Sequence, residues 1–238
     1  MNSQKRILIT GATSGIGEAT FKHAIKNGHV LFITGRNEEK LIELTKDHPN
    51  SFYLKVDVTD LDSVKNLERV AIEKMGGIDV LLNNAGIGIF DKLIDSDLLD
   101  WHKMIDTNIK GLLNVLHFFL PHLIRSNGHV INLGSVASHH VFPDSGVYCA
   151  TKHAVLAISE SLRAELSKKI RITTISPGSV NTPFIHQTKN KELLSKFKPS
   201  FESGMPVEWV ASQIINAIEV EDGVNISEII IRPFQITK

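Results

Sequence analysis

Cysteine occurs once in these 238 residues, at Cys149, so no internal disulfide can form and the sequence suits a reducing compartment. Net charge is missing too. The 26 Lys and Arg balance 26 Asp and Glu, which removes the electrostatic reason to expect nucleic acid or an anionic membrane as partner. No apolar run reaches the roughly eighteen residues a membrane span needs. The opening Met-Asn-Ser-Gln-Lys-Arg leads straight into Ile7-Leu8-Ile9-Thr10 without a signal-like apolar region, so a cytoplasmic location is expected. Repeats, low-complexity tracts and Pro- or Ser-rich linkers are absent as well, and residues 1–238 read as a single domain. With 42% hydrophobic and 22% charged residues, the chain can fill one substantial core. Cys149 itself, beside Tyr148 in an apolar stretch, reads as a small buried filler.

Short apolar runs alternate with amphipathic stretches. Strand-like segments fall at 7–10, 30–34, 52–56, 80–83, 130–133, 171–175 and 226–231, and several are apolar on both faces, as parallel strands between helix layers are. Helical patterns occupy 18–26, 38–46, 63–75, 107–123, 147–167 and 206–220, with Gly28 and Gly76-Gly77 as stop signals. This order predicts an α/β fold, a doubly wound Rossmann-type parallel sheet of about seven strands with helices on both faces.

The turns at the C-terminal ends of these strands carry the informative residues. After the first comes Thr10-Gly11-Ala12-Thr13-Ser14-Gly15-Ile16-Gly17, a glycine-rich strand-to-helix turn where backbone can approach a pyrophosphate. The spacing is Gly-x3-Gly-x-Gly, not the commoner Gly-x-Gly-x-x-Gly, and tight packing is the competing explanation. After the second comes Thr34-Gly35-Arg36-Asn37 with no carboxylate before Glu38. A guanidinium there suits a 2′-phosphate, hence NADP(H) over NAD(H), unless Arg36 merely pairs with Glu38 or Glu39. Asp57, followed by Val58, either accepts from an adenine amine or caps its own loop. Asn83-Asn84-Ala85-Gly86 offers small residues for close passage, Asn108 is a polar residue that needs partners near the start of an apolar helix, and Ser176-Pro177-Gly178-Ser179-Val180-Asn181-Thr182-Pro183 is a rigid turn able to hold a carboxamide.

In the stretch 134–152, Ser135 precedes Tyr148 by thirteen residues and Lys152 follows by four. On a helix that last spacing stacks phenol and ammonium on one face, where the cation favours phenolate. Alone, the pair equally describes an apolar ring under a solvated charge. His139-His140 lacks a third ligand at a supporting spacing, so loop polarity and no metal are expected.

Taken together, Thr-Gly-x3-Gly-x-Gly at 10–17, Asp57, Asn-Asn-Ala-Gly at 83–86, Asn108, Ser135, Tyr148-x3-Lys152 and Pro-Gly at 177–178 resemble the short-chain dehydrogenase/reductase family, compact single-domain branch. The likeness covers essentially the whole chain in order. It implies an NADP-dependent oxidoreductase interconverting a secondary alcohol and a carbonyl, with a catalytic set of Asn108, Ser135, Tyr148 and Lys152. Tyr148 would be the acid in reduction and the base in oxidation. Lys152 would lower its pKa and bind the nicotinamide ribose, Ser135 would orient the substrate oxygen, and Asn108 would hold a proton-relaying water. Gly11, Thr13, Ser14, Gly15, Ile16 and Gly17 would surround the pyrophosphate, with Arg36, Asp57, Val58, Asn84, Ala85 and Gly86 on the adenosine side. Pro177, Gly178, Val180 and Thr182 would fix the carboxamide.

A narrower likeness, in 101–108 and 224–233, is to bacterial NADP-dependent 3-hydroxy acid (serine-type) dehydrogenases, which implies a small hydroxy acid or polar carbonyl. This chain departs from them in stopping at Lys238, soon after the last strand-like run. The substrate lid would be 184–205, where Lys189, Lys191, Lys196 and Lys198 either welcome a carboxylate or form a solvated helix face. Helices 107–123 and 147–167 carry surplus apolar residues (Leu112, Leu113, Leu116, Phe118, Phe119, Leu156 and Leu162), which predict a homodimer or homotetramer through these helices, against a crowded monomer core. A non-catalytic NADP(H)-binding scaffold is the alternative function. An activated phenol would serve it no purpose. A third reading, an epimerase or dehydratase of the longer branch, expects another glycine spacing and a larger substrate domain.

Overall fold

Ile7 and Ile9 turn to one face of a central sheet and Leu8 to the other, and the same alternation places Leu31 and Ile33 opposite Phe32, and Leu82 opposite Leu81. The structure, a computed structural model, describes residues 4–221 and 223–234. The terminal Met1 and Lys238 lie outside the described residues. The elements are β1 (Arg6–Thr10), α1 (Gly15–Lys26), β2 (Val30–Gly35), α2 (Glu38–Thr45), β3 (Ser51–Lys55), α3 (Leu61–Met75), β4 (Val80–Asn83), α4 (Leu98–Ile105), α5 (Leu112–Arg125), β5 (His129–Leu133), α6 (Gly146–Leu166), β6 (Arg171–Pro177), α7 (Lys191–Glu202), α8 (Val207–Glu219) and β7 (Glu228–Ile231). All strand pairs are parallel, in the order β3-β2-β1-β4-β5-β6-β7. One face buries Phe21 of α1, Leu41 of α2 and Val210 and Ile214 of α8; the other buries Leu67 of α3, Phe119 of α5 and Val155 of α6. Among the described residues, no helix is long and apolar enough to cross a membrane.

A buried polar chain fixes α6 against the sheet. Asn83 donates to Asn132 at 2.9 Å, Asn132 to Ser159 at 2.9 Å, and Ser159 to the Val155 carbonyl at 2.8 Å. Each side chain here would be costly to bury unpaired, so the chain sets the position of α6 along β5.

Three expectations shift. The helix placed at 107–123 begins at Leu98, where Asp97 accepts from Leu99 N at 2.9 Å, and it runs through a π-turn at Asp106–Gly111 into α5. β6 continues to Pro177, because Ser176 and Pro177 still pair with Ile230 and Ile231, while β7 starts at Glu228. Of the seven surplus apolar residues, Leu112, Leu116 and Phe119 are buried within this chain, whereas Leu113 is 44% exposed and Phe118, Leu156 and Leu162 are half-buried.

At the start of β5, His129 is 1% exposed. Thr173 gives its hydroxyl proton to Ile226 O at 2.6 Å, so the imidazole Nε2 must donate in its own 2.7 Å contact with Thr173. Nδ1 is then bare and has no partner among the described residues. Burial, with help from Arg171, pushes His129 down to about 3. The unfolded chain binds this proton near 6.5 and the native state does not, so the stability is complete above that value and lost as pH falls toward about 3. Replacing His129 with Gln should flatten the pH dependence of urea unfolding between about pH 6 and about pH 4 by about 1.4 kcal/mol per unit. An unchanged slope would assign the linkage to other groups.

Candidate active site

β1 and β4 are neighbours whose chains part at their C-terminal ends, one toward α1 and β2, the other toward β5, and a crevice opens between them. Thr10 clasps the two ends. Its hydroxyl accepts from Asn84 N and Ala85 N, both at 3.1 Å, and the Asn84 side chain donates to the Thr10 and Gly11 carbonyls at 2.9 and 2.8 Å. Backbones meet so closely that a Cβ on Gly11 would lie 2.8 Å from Ala85 Cα, and one on Gly17 would lie 2.5 Å from Asn84 Nδ2. Gly11 and Gly15 also have φ of +65° and +55°. Ser14 precedes α1 without a side-chain cap, which leaves first-turn N–H groups and the positive end of the helix dipole beside the crevice.

Every residue expected at the cofactor except Gly17 borders one cavity of about 540 Å³. It spans the C-terminal edge of the sheet, from Arg36 and Asp57 after β2 and β3 to Ser135, Tyr148 and Lys152 around β5. Arg36 is exposed and has no ion pair among the described residues; Glu38 lies 3.9 Å from Lys55 instead. Asp57 Oδ1 accepts from Thr59 N at 2.9 Å and from the Thr59 hydroxyl at 2.7 Å, so it caps its own loop while bordering the cavity. A glycine cradle, an uncapped helix start and an unpaired guanidinium in one crevice fit a phosphorylated dinucleotide.

At the other end, Ser135 closes β5. Its Oγ accepts from Ala137 N at 3.1 Å, and its own proton is held only by a long 3.5 Å contact to Pro177 O. Lys152 Nζ donates to Leu133 O at 2.7 Å. Burial decides both titrations. The Tyr148 hydroxyl is pushed up to about 12, against the opposing pull of the Ser135 hydroxyl, and Lys152 is pushed down to about 8. Tyr148 is therefore not depressed as its ammonium neighbour leads one to expect: desolvation is the largest influence, and only Ser135 opposes it.

Asn108 and Gly17 lie behind the wall of the cavity. Asn108 Oδ1 accepts from Ile87 N at 2.8 Å, and Nδ2 donates to Ile87 O at 2.9 Å and to Thr151 Oγ1 at 3.0 Å. Thr151 donates in turn to the Tyr148 carbonyl at 2.7 Å. Asn108 thus ties the loop after β4 to the first turns of α6. Of Ser138, His139, His140 and Phe142, only Phe142 borders the cavity. Ser138 accepts from Ser135 N at 3.2 Å, and His139 meets Glu228 at 2.7 Å. Among the described residues, no three His, Cys, Asp or Glu side chains cluster as metal ligands. Cys149 is fully buried.

The lid segment 184–205 turns its lysines outward. Lys189 pairs with Asp100 at 2.9 Å, Lys196 with Asp144 at 2.7 Å and Lys198 with Glu202 at 3.5 Å; neither these nor Lys191 border the cavity. Phe184, Phe197 and Phe201 do, and with Phe90 they surround the phenol. Ring centroids of Phe90 and of Phe184 are each 5.5 Å from Tyr148, and Phe90 is 5.0 Å from Phe197. The roles of these phenylalanines, of Thr10 and of Thr151 are not legible in the sequence. The spacing of four between Phe197 and Phe201 was the available signal. Gly88 belongs with them, since a Cβ there would strike the Phe184 ring.

Comparison with known proteins agrees with this arrangement. The family model described as short chain dehydrogenase matches residues 5–193. A Staphylococcus saprophyticus protein named "uncharacterized oxidoreductase" is 39% identical over 235 residues, 96% of each chain. Among solved structures, an alcohol dehydrogenase from the archaeon Thermococcus sibiricus complexed with 5-hydroxy-NADP superposes with TM-score 0.88 at 27% identity, covering 99% of this chain and 100% of that one. The closed form of a serine dehydrogenase complexed with NADP+ gives 0.88 at 30% identity, over 98% and 99%. The chain belongs to the short-chain dehydrogenase family and is an NAD(P)-dependent oxidoreductase.

Proposed function

We propose that the protein interconverts a secondary alcohol and its carbonyl with NADP(H), preferred over NAD(H), and that Tyr148 moves the proton. The observation that carries this reading is the convergence of Ser135, Tyr148 and Lys152 at one side of a cavity whose other side holds the glycine loop and the unpaired Arg36. Gly11, Ser14, Gly15 and Ile16 take the pyrophosphate at the start of α1, Arg36 takes the 2′-phosphate, and Val180 and Thr182 hold the carboxamide. When bound, the cofactor supplies or accepts the hydride at C4 of its nicotinamide. In reduction, the Ser135 and Tyr148 hydroxyls donate to the substrate carbonyl oxygen, and Tyr148 transfers its proton as that oxygen gains charge. Lys152 holds the ribose and keeps positive charge beside the phenolate that results. Asn108 positions Tyr148 and Lys152 through Thr151 and adds the water-relay role the family implies. Residues 184–205 form the substrate lid. The protein works in the cytoplasm as a homodimer or homotetramer through 107–123 and 147–167, where Leu113, Phe118, Leu156 and Leu162 supply unburied apolar surface. A small hydroxy acid, the substrate the serine-type likeness implies, finds support in that neighbour's fold but no lid lysine bordering the cavity.

The test is oxidation of reduced nicotinamide across a panel of carbonyl compounds. Tyr148→Phe should lower turnover about 10²–10⁴-fold while NADPH affinity stays within about twofold; unchanged turnover removes the proton role. Arg36→Ala should weaken NADPH by roughly ten- to a hundredfold and leave NADH nearly unaffected, since a charge-assisted phosphate contact is worth about that much. Equal losses would show that Arg36 does not read the phosphate. The kcat/KM for NADPH reports the free enzyme, so it should be flat at neutral pH and decline above about 8 as Lys152 loses its charge. A profile flat to about pH 10 would separate Lys152 from coenzyme binding.

A further inference from the structure

The chain is poor in aromatics, with 11 Phe, 2 Tyr and 2 Trp. Five of those phenylalanines, Phe90, Phe142, Phe184, Phe197 and Phe201, nevertheless border the one cavity that holds Tyr148. They come from three separate places: the loop after β4, the loop before α6, and the lid. Phe197 and Phe201 lie one turn apart on α7, Phe184 stacks at 22° and 6.4 Å on Phe201, and Phe90 contacts Tyr148, Phe184, Phe197 and Phe201. Phe184, Phe197 and Phe201 are only half-buried, so apolar surface remains open to the cavity. The rim continues this character, with Phe142 41% and the adjacent Val141 72% exposed. Of the described residues lining the cavity, only Arg36 and Lys152 are cationic; Arg36 follows β2, well along the sheet edge, and Lys152 is engaged with Leu133 O. The polar side chains near the rings are the neutral Ser145, Ser179, Gln187 and Ser200.

We infer that the substrate is a neutral ketone, or the matching secondary alcohol, whose carbonyl carries an aryl or similarly bulky apolar group, and that a free carboxylate on that group is rejected. A carboxylate among these rings loses its hydration and meets no counter-ion, whereas an aryl group gains offset or edge contacts with several rings. The inference rests on the reading of Tyr148 as proton donor, and the test separates the two. Acetophenone and 2-acetylnaphthalene are compared with 4-acetylbenzoate, which presents the same reacting ketone beside a carboxylate. Neutral ketones should have kcat/KM roughly a hundredfold above the carboxylate. Phe201→Ala should raise KM for acetophenone about tenfold and leave KM for NADPH unchanged, and Phe201→Arg should narrow the gap between the two ketones. Turnover of 4-acetylbenzoate equal to or better than acetophenone overturns the substrate class and leaves the Tyr148 reading intact. If no ketone turns over, ligand-observed NMR on wild type loaded with NADP+, a pairing that cannot react with a ketone, decides. Binding of acetophenone in preference to 4-acetylbenzoate keeps the class and removes the acid–base reading; binding of neither overturns the class.

Discussion

The close approach of β1 and β4 at their C-terminal ends is the constraint on which the remaining geometry depends. Asn84 and Ala85 donate four hydrogen bonds across it to Thr10 and Gly11, and the glycine loop is pressed against Asn84 and Ala85 so tightly that Gly11 and Gly17 have no space for a side chain. The same strand end runs on through Ala85 and Gly86 to Ile87, which both donates to and accepts from Asn108. Asn108 reaches Thr151, and Thr151 reaches the carbonyl of Tyr148. A continuous set of bonds thus joins the loop that receives a pyrophosphate to the helix that carries the phenol. Moving either end relative to the other would unpair buried amides, at roughly 1–3 kcal/mol each, so the distance between the two halves of the cavity is held by the interior.

Burial also sets the chemistry of the pair on α6. It favours the neutral form of each group, raising Tyr148 to about 12 and lowering Lys152 to about 8. A phenol held protonated is a ready proton donor to a carbonyl oxygen. The low dielectric that opposes phenolate also strengthens any charge or hydrogen bond that later stabilises it. The Ser135 hydroxyl is the neighbour that opposes the rise at Tyr148. Its proton is weakly held by Pro177 O at 3.5 Å, and so it can turn to a better acceptor.

Much of this was legible in the chain. Strands apolar on both faces announce themselves by composition, and the glycine loop, Asn83-Asn84-Ala85-Gly86, Ser135 and Tyr148-x3-Lys152 follow them at short, regular intervals. Asn108 was legible as a buried amide needing partners, but not the partners, because Ile87 and Thr151 lie 21 and 43 residues away in sequence. The π-turn at Asp106–Gly111 leaves no periodic signature, since six residues are too few for a distinct period to show. The pKa of Tyr148 is hidden from the sequence for a related reason. Spacing shows that an ammonium is near, but the depth at which both groups sit belongs to the folded state.

The lid carries this distinction furthest. Its four lysines dominate the sequence of 184–205, yet Lys189 and Lys196 reach outward to Asp100 and Asp144, whose side chains are only 8% and 12% exposed. Carboxylates so placed are poorly hydrated, and pairing with a lysine offsets part of that loss. The charges therefore tether the segment leading into α7 to α4, and α7 itself to the loop before α6, while the opposite face of α7 presents Phe197 and Phe201 to Phe90. One amphipathic helix is held by its ionic side and recognises through its aromatic side. Counting charge along the chain registers the first of these and misses the second, because only the fold decides which side faces the phenol.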